Sequence, residues 1–145
     1  SYRTIYDGGG CLRAQLFPGI AELLSALAHA GKRCFVVTNK PALPAKLLLS
    51  HFAIDRYFEV IASPDDPANP FSDKADAVAQ LLRGKGIDSA DACVIGDAVD
   101  DARAASVNKV AFVAAAYGYG EAHKQQTFPI AHIVYQPADL LALLR

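Results

Sequence analysis

Charge of one sign is the first thing this chain lacks. Its 14 Lys and Arg are met by 15 Asp and Glu, a formal net charge of -1, so composition gives no support for a nucleic-acid partner. A long hydrophobic run is missing too. Apolar residues make up 52% of the 145, yet no run approaches the roughly 20 residues that span a bilayer. No charged-then-apolar signal pattern opens the sequence, and a soluble cytoplasmic protein without a membrane partner is the expectation. Cysteine is scarce: Cys11, Cys34 and Cys93 are an odd number at wide spacing, which reads as small buried hydrophobes rather than disulfides or ligands. His29, His51, His123 and His132 are scattered and show no metal-ligand spacing.

What is present is one domain's worth of chain with a regular alternation of elements. Residues 34–37, 57–62, 92–95, 110–114 and the surroundings of Ile133-Val134 read as strands. Between them, helical periodicity runs over about 20–28, 41–52, 73–85, the stretch up to Val107, and 138–144. In 41–52 the apolar face is expected to hold Leu47, Leu48 and Phe52. Gly8-Gly9-Gly10 breaks any regular element, 63–72 is a proline-rich loop, and Tyr117-Gly118-Tyr119-Gly120 reads most simply as a turn. Strands alternating with helices at this pitch predict a parallel sheet covered on both faces, a three-layer α/β domain.

The stretch Val94-Ile95-Gly96-Asp97-Ala98-Val99-Asp100-Asp101 organises the rest. A buried strand ends at Gly96-Asp97, which places carboxylates at the carboxyl end of the sheet, where open α/β folds bind ligands. Three acids within five residues repel one another unless something positive joins them. Mg2+, a hard cation that takes oxygen ligands and keeps several waters, suits such a set. The alternative is that Asp97 caps the next helix and Asp100 and Asp101 are first-turn acids favoured by its dipole. Thr38 ends another strand and Lys74 sits where a loop becomes a helix, so all three positions can converge on a phosphate and a metal.

With these residues in place the chain resembles the haloacid-dehalogenase superfamily of phosphohydrolases, in particular its phosphoglycolate-phosphatase-like branch. The resemblance is carried by L-F-P-G-I-A-E-L-L, V-V-T-N-K-P, I-G-D-A-V-D-D and A-Y-G-Y-G, in that order and spacing over nearly the whole chain. It implies a Rossmann-like core over 1–145 with no separate cap domain, 1–17 being irregular or recruited. It also implies a small phosphorylated substrate, phosphoryl binding at Thr38 and Asn39, and Mg2+ held by Asp97 and Asp101, with Asp100 a bystander. The lysine that balances charge in the family lacks its usual setting. Lys74 is the nearby candidate, displaced by two or three residues from the counted position.

One motif is missing. The family needs an Asp-x-Asp pair at the end of a first strand, the first acid attacking phosphorus and the second protonating the leaving oxygen. No such pair stands upstream of Thr38. In one register the stretch around Tyr2 to Tyr6, twelve positions before Pro18, resembles the closing helix of the family's cap; this register needs no gap and is preferred for descent. In the other, Y-D-G-G-G-C-L replaces F-D-x-D-G-T-L, so Asp7 keeps the nucleophile's place and Gly9 has replaced the acid. Either way the middle of the sheet must be filled, because buried unpaired backbone groups cost about 1 to 3 kcal/mol each. The N-terminal residues as a recruited strand, direct closure of the two inner strands, or a second copy of the chain are the three solutions. The functional expectation is a phosphatase core, truncated or degenerate and with little activity. The alternatives are a non-catalytic Mg2+- or phosphate-binding relative and a self-associating homodimer. A phosphorelay receiver fits less well, since its acids belong to its first strand.

Overall fold

The computed structural model describes residues 3–7 as backbone, and residues 19–68 and 70–144 in full. Six strands form one parallel sheet in the order β3-β2-β1-β4-β5-β6. They are β1 Arg3–Asp7, β2 Cys34–Val37, β3 Val60–Ala62, β4 Ala92–Gly96, β5 Ala111–Ala115 and β6 His132–Val134. Five helices accompany them among the described residues: α1 Ile20–His29, α2 Ala42–His51, α3 Lys74–Lys85, α4 Val99–Val107 and α5 Ala138–Leu144.

The middle of the sheet is filled by the chain's own N-terminal residues. Thr4 to Asp7 pair in register with Cys34 to Val37 on one side, and Arg3 to Tyr6 with Ala92 to Ile95 on the other. The weakly alternating stretch at the start is therefore the central strand, and the two inner strands have their ladder partners. Whether Ile5 is buried lies outside the described residues.

The period of two along a strand sorts the core into two layers. Cys34 and Val36 of β2, with Cys93 and Ile95 of β4, pack against Ile20, Leu23, Leu24 and Leu27 of α1, Leu49 of α2, and Leu140 and Leu144 of α5. Their neighbours Phe35, Val37, Ala92 and Val94 face Ala75, Val78 and Leu81 of α3, and Ala102 and Ala105 of α4. Both faces are thus covered, as the near-continuous apolar strands predict. Cys34 and Cys93 are buried, and burial pushes the Cys34 thiol up to about 11, which keeps it unreactive.

One strand boundary and one helix face differ from the sequence reading. The strand expected over 57–62 is confined to β3, because Asp55–Tyr57 forms a 3-10 turn. In α2 the buried positions are Ala45 and Leu49, and Leu48 and Phe52 pack half-buried against the same cluster as expected, while Leu47 is 61% exposed. Three consecutive leucines leave the helical phase open, and packing buried the last of them most deeply.

At the amino edge Arg33 forks onto Glu59, Nε donating to Oε2 at 2.7 Å and Nη2 to Oε1 at 3.0 Å, with Lys85 Nζ 3.7 Å away. This clamp ties the starts of β2 and β3 to the end of α3. The Arg33 hydrogen bond holds the Glu59 carboxyl below the usual carboxylate range, against the opposing effect of desolvation. A depressed folded-state pKa adds stability that is complete above the unfolded value and disappears as pH falls through the folded one. Glu59→Gln should therefore cost about 0.5 kcal/mol at pH 7, a small figure because the pair is solvent-screened. Urea midpoints of variant and parent should converge as the solution is acidified below the ordinary carboxylate range.

Candidate functional site at the carboxyl edge of the sheet

Four strands deliver their ends to one place. Thr38, which follows β2, is 1% exposed, and its backbone N–H donates to the Ala62 carbonyl at 3.0 Å, fixing it beside the end of β3. Its Oγ1 accepts from the Lys40 N–H at 3.1 Å, which leaves the hydroxyl proton to donate elsewhere. Asn39 is exposed next to it.

Lys74 is brought in by helix capping. Asp73 is the N-cap of α3, its carboxylate accepting from the Asp76 N–H, and this starts the helix with Lys74 on its inner side. The side chain is buried at 7% exposure, and Nζ lies 2.8 Å from Asp101 Oδ1. Lys74 is thus buried against a carboxylate, and a solvated helix-start lysine is excluded. Asp101 sits in the first turn of α4 at 1% exposure. Its other oxygen accepts the Ala98 N–H at 3.0 Å, so the carboxylate is a cap as well as an ion-pair partner. A Cβ on Gly96 would collide with that carboxylate, which explains the glycine.

Removing one partner of a buried ion pair costs about 3 to 5 kcal/mol. Lys74→Met should destabilise the fold by that order in urea titration. Lys74→Met with Asp101→Asn should recover much of it. A single variant as stable as the parent would remove the pair from the account of the site.

Asp97 is held from a different side. It is 4% exposed, and its Oδ2 accepts from the backbone N–H groups of Tyr119 at 3.0 Å and Gly120 at 3.2 Å, while its own carbonyl accepts from Ala122 at 3.0 Å. It does not cap α4; Ala98 occupies the N-cap. Side chains on Gly118 or Gly120 would run into the Asp97 carboxylate or carbonyl. Residues 117–120, expected as a plain turn, are a cradle for Asp97, and the spacing of two glycines was the signal in the sequence.

Asp100, a bystander by the resemblance, makes two long contacts. Its Oδ1 lies 3.4 Å from Lys74 Nζ and its Oδ2 accepts from Asn39 Nδ2 at 3.4 Å, with the side chain 48% exposed. The backbone of Asp7 stands opposite Val37, one position beyond the Tyr6–Ile95 pair. It is therefore at the end of the central strand, between Thr38 and Asp97 in strand order. The contacts of its carboxylate lie outside the described residues. Among the described residues no group of three or more His, Cys, Asp or Glu is arranged around a metal position. A cleft of about 260 Å³ between β3 and α3, lined by Val60, Ala62, Gln80 and Leu81, contains none of Thr38, Lys74, Asp97 or Asp101.

A parallel Rossmann-like sheet thus gathers a buried threonine, a paired lysine and two buried aspartates at its carboxyl edge. The model of the haloacid dehalogenase-like hydrolase family matches residues 9–115, and the chain belongs to that family. It is 32% identical over 142 residues to a 5'-nucleotidase of Pseudomonas aeruginosa, an alignment that covers 98% of this chain and 62% of the relative. A phosphoglycolate phosphatase of Nitrosococcus oceani is 33% identical over 121 residues, 81% of this chain and 52% of that one. Among solved structures, the haloacid dehalogenase-like hydrolase SP0104 of Streptococcus pneumoniae superposes with a TM-score of 0.79 at 27% identity, over 90% of this chain and 60% of its own. The chain thus spans about half to three fifths of the length of these proteins.

Proposed function

We propose that this chain is the phosphoryl-binding core of a Mg2+-assisted phosphatase for a small phosphorylated molecule, with slight turnover as it stands. The observation that supports this reading is the convergence of Thr38, Asn39, Lys74 and Asp97 on one sheet edge, with the Asp7 backbone among them. In this reading the Thr38 hydroxyl and neighbouring N–H groups bind the phosphoryl oxygens, and Lys74, oriented by Asp101, balances their charge. Asp7 is the candidate nucleophile. Its carboxylate oxygen forms a bond to phosphorus as the ester oxygen leaves, and water then hydrolyses the acyl phosphate. Gly9 offers no proton to the departing oxygen.

The donor set fits a hard cation in part. Asp97 has its described contacts on Oδ2, so Oδ1 is available as an oxygen ligand, and Asp7 is the second candidate. Asp101, implied as a ligand by the family resemblance, has both oxygens engaged, so its role toward the ion runs through Lys74 or a water. Mg2+ bound there would neutralise phosphoryl and nucleophile charge. Calorimetry should show at most millimolar-range affinity, about what a site short of carboxylates gives, and Asp97→Asn should abolish it. Micromolar binding would mean that Asp7 completes the site.

The second reading is a non-catalytic phosphate or Mg2+ binder, favoured by the absence of an acid at Gly9. A self-associating homodimer has lost its physical motive, since β1 already pairs both inner strands. No described helix is long and apolar enough to cross a membrane; a cytoplasmic setting belongs to the proposal.

A further inference from the structure

We propose that Asp100 occupies, as a built-in carboxylate, the side-chain donors that a phosphate anion needs, so that phosphate binds this chain by displacing it. The inference rests on the reading of Asn39 and Lys74 as phosphoryl-binding groups. It goes beyond that reading by naming what sits on them when no phosphate is bound.

The distances separate the two carboxylates around Lys74. Asp101 lies 2.8 Å from Nζ with its side chain 2% exposed, and its second oxygen caps α4. Asp100 lies 3.4 Å from the same nitrogen and 3.4 Å from Asn39 Nδ2, with its side chain 48% exposed. Asp101 is therefore an anchor that stays, and Asp100 a weak, solvent-screened contact that leaves at little cost. The geometry of Asp100 is that of an anion spanning two donors. One oxygen faces an ammonium on α3 and the other an amide on the β2–α2 loop, elements with no covalent proximity. A phosphate has the same charge sign and the same acceptor chemistry, so the two compete for these donors. Repulsion between the Asp100 charge and the incoming dianion adds to the competition. Selectivity follows as well. A carboxylate at this point penalises free anions more than phosphates that arrive with a cation to bridge to it.

The test is titration of the intact chain with inorganic phosphate in the presence of a chelator, followed by calorimetry or by amide resonances. Asp100→Asn and Asp100→Ala should each bind phosphate about three- to tenfold more tightly than the parent, the scale expected for releasing two exposed contacts and one charge. Asp100→Glu, which keeps the charge, should not. Circular dichroism checks that the half-exposed substitutions leave the fold intact. Unchanged or weaker affinity in both neutral variants, or no phosphate binding in any of them, would overturn the proposal. The underlying reading fails separately. If Thr38→Val binds phosphate as well as the parent while the Asp100 variants still gain, the phosphate site lies elsewhere than at Thr38. If Thr38→Val loses binding and the Asp100 variants gain nothing, only the competition is refuted.

Discussion

A chain lacking residues 1–7 should not exist as a folded monomer. β1 is paired on both sides, through four register positions to β2 and four to β4. Its removal would leave N–H and C=O groups of two fully buried strands facing a gap. At about 1 to 3 kcal/mol for each unsatisfied group, a handful of them equals the whole 5 to 15 kcal/mol by which domains are typically stable, roughly speaking. Two outcomes are expected on size-exclusion chromatography with light scattering and circular dichroism: loss of the cooperative unfolding transition, or self-association through the exposed edges. A trimmed chain that remained monomeric and as stable as the parent would require β2 and β4 to close on each other directly, and would remove β1 from its structural role.

The second large effect concerns turnover and its dependence on the leaving group. General-acid protonation contributes about 10²- to 10⁴-fold to such reactions, and Gly9 cannot supply it. Alkyl phosphate monoesters, whose alkoxide leaves poorly, should be hydrolysed far below the roughly 1 to 1000 per second usual for enzymes. Aryl phosphates with acidic phenols need little protonation and should be relatively spared, so the rate should fall steeply as the leaving group becomes more basic. Asp7→Asn should abolish what remains, and Gly9→Asp should flatten the dependence by raising the alkyl rates. Efficient turnover of an alkyl phosphate by the parent chain would show that another group donates the proton. Residual aryl phosphatase activity that survives Asp7→Asn would take the nucleophile's role from Asp7.

Much of this was legible because it is local. The strand ending at Gly96-Asp97, the helix stop at Gly86 and the alternation of elements are signalled by neighbours in sequence. What escaped was decided by distant partners. Lys74 counted as displaced because the family pattern places the lysine along the chain, whereas Asp73 capping and the Asp101 carboxylate place it in space. The cradle at 117–120 requires glycine only because Asp97 lies against it. Asp100 acquired its two contacts from Asn39 and Lys74, each remote in sequence. The N-terminal residues carry weak strand character by themselves, and their partners in β2 and β4 are remote in sequence. The alternative that Asp97 caps the next helix is settled only by the hydrogen bonds of its carboxylate, which go to the 117–120 loop.

The register of β1 also sets an order of events during synthesis. Thr4 meets Cys34 early, but Arg3 pairs with Ala92, a partner about ninety residues later. At roughly 5 to 20 residues per second on the ribosome, the strand at the centre of the sheet waits several seconds with one edge unsatisfied. The last half of the core cannot form until that wait ends. Long-range parallel pairing of this kind is slow to form and open to wrong partners meanwhile.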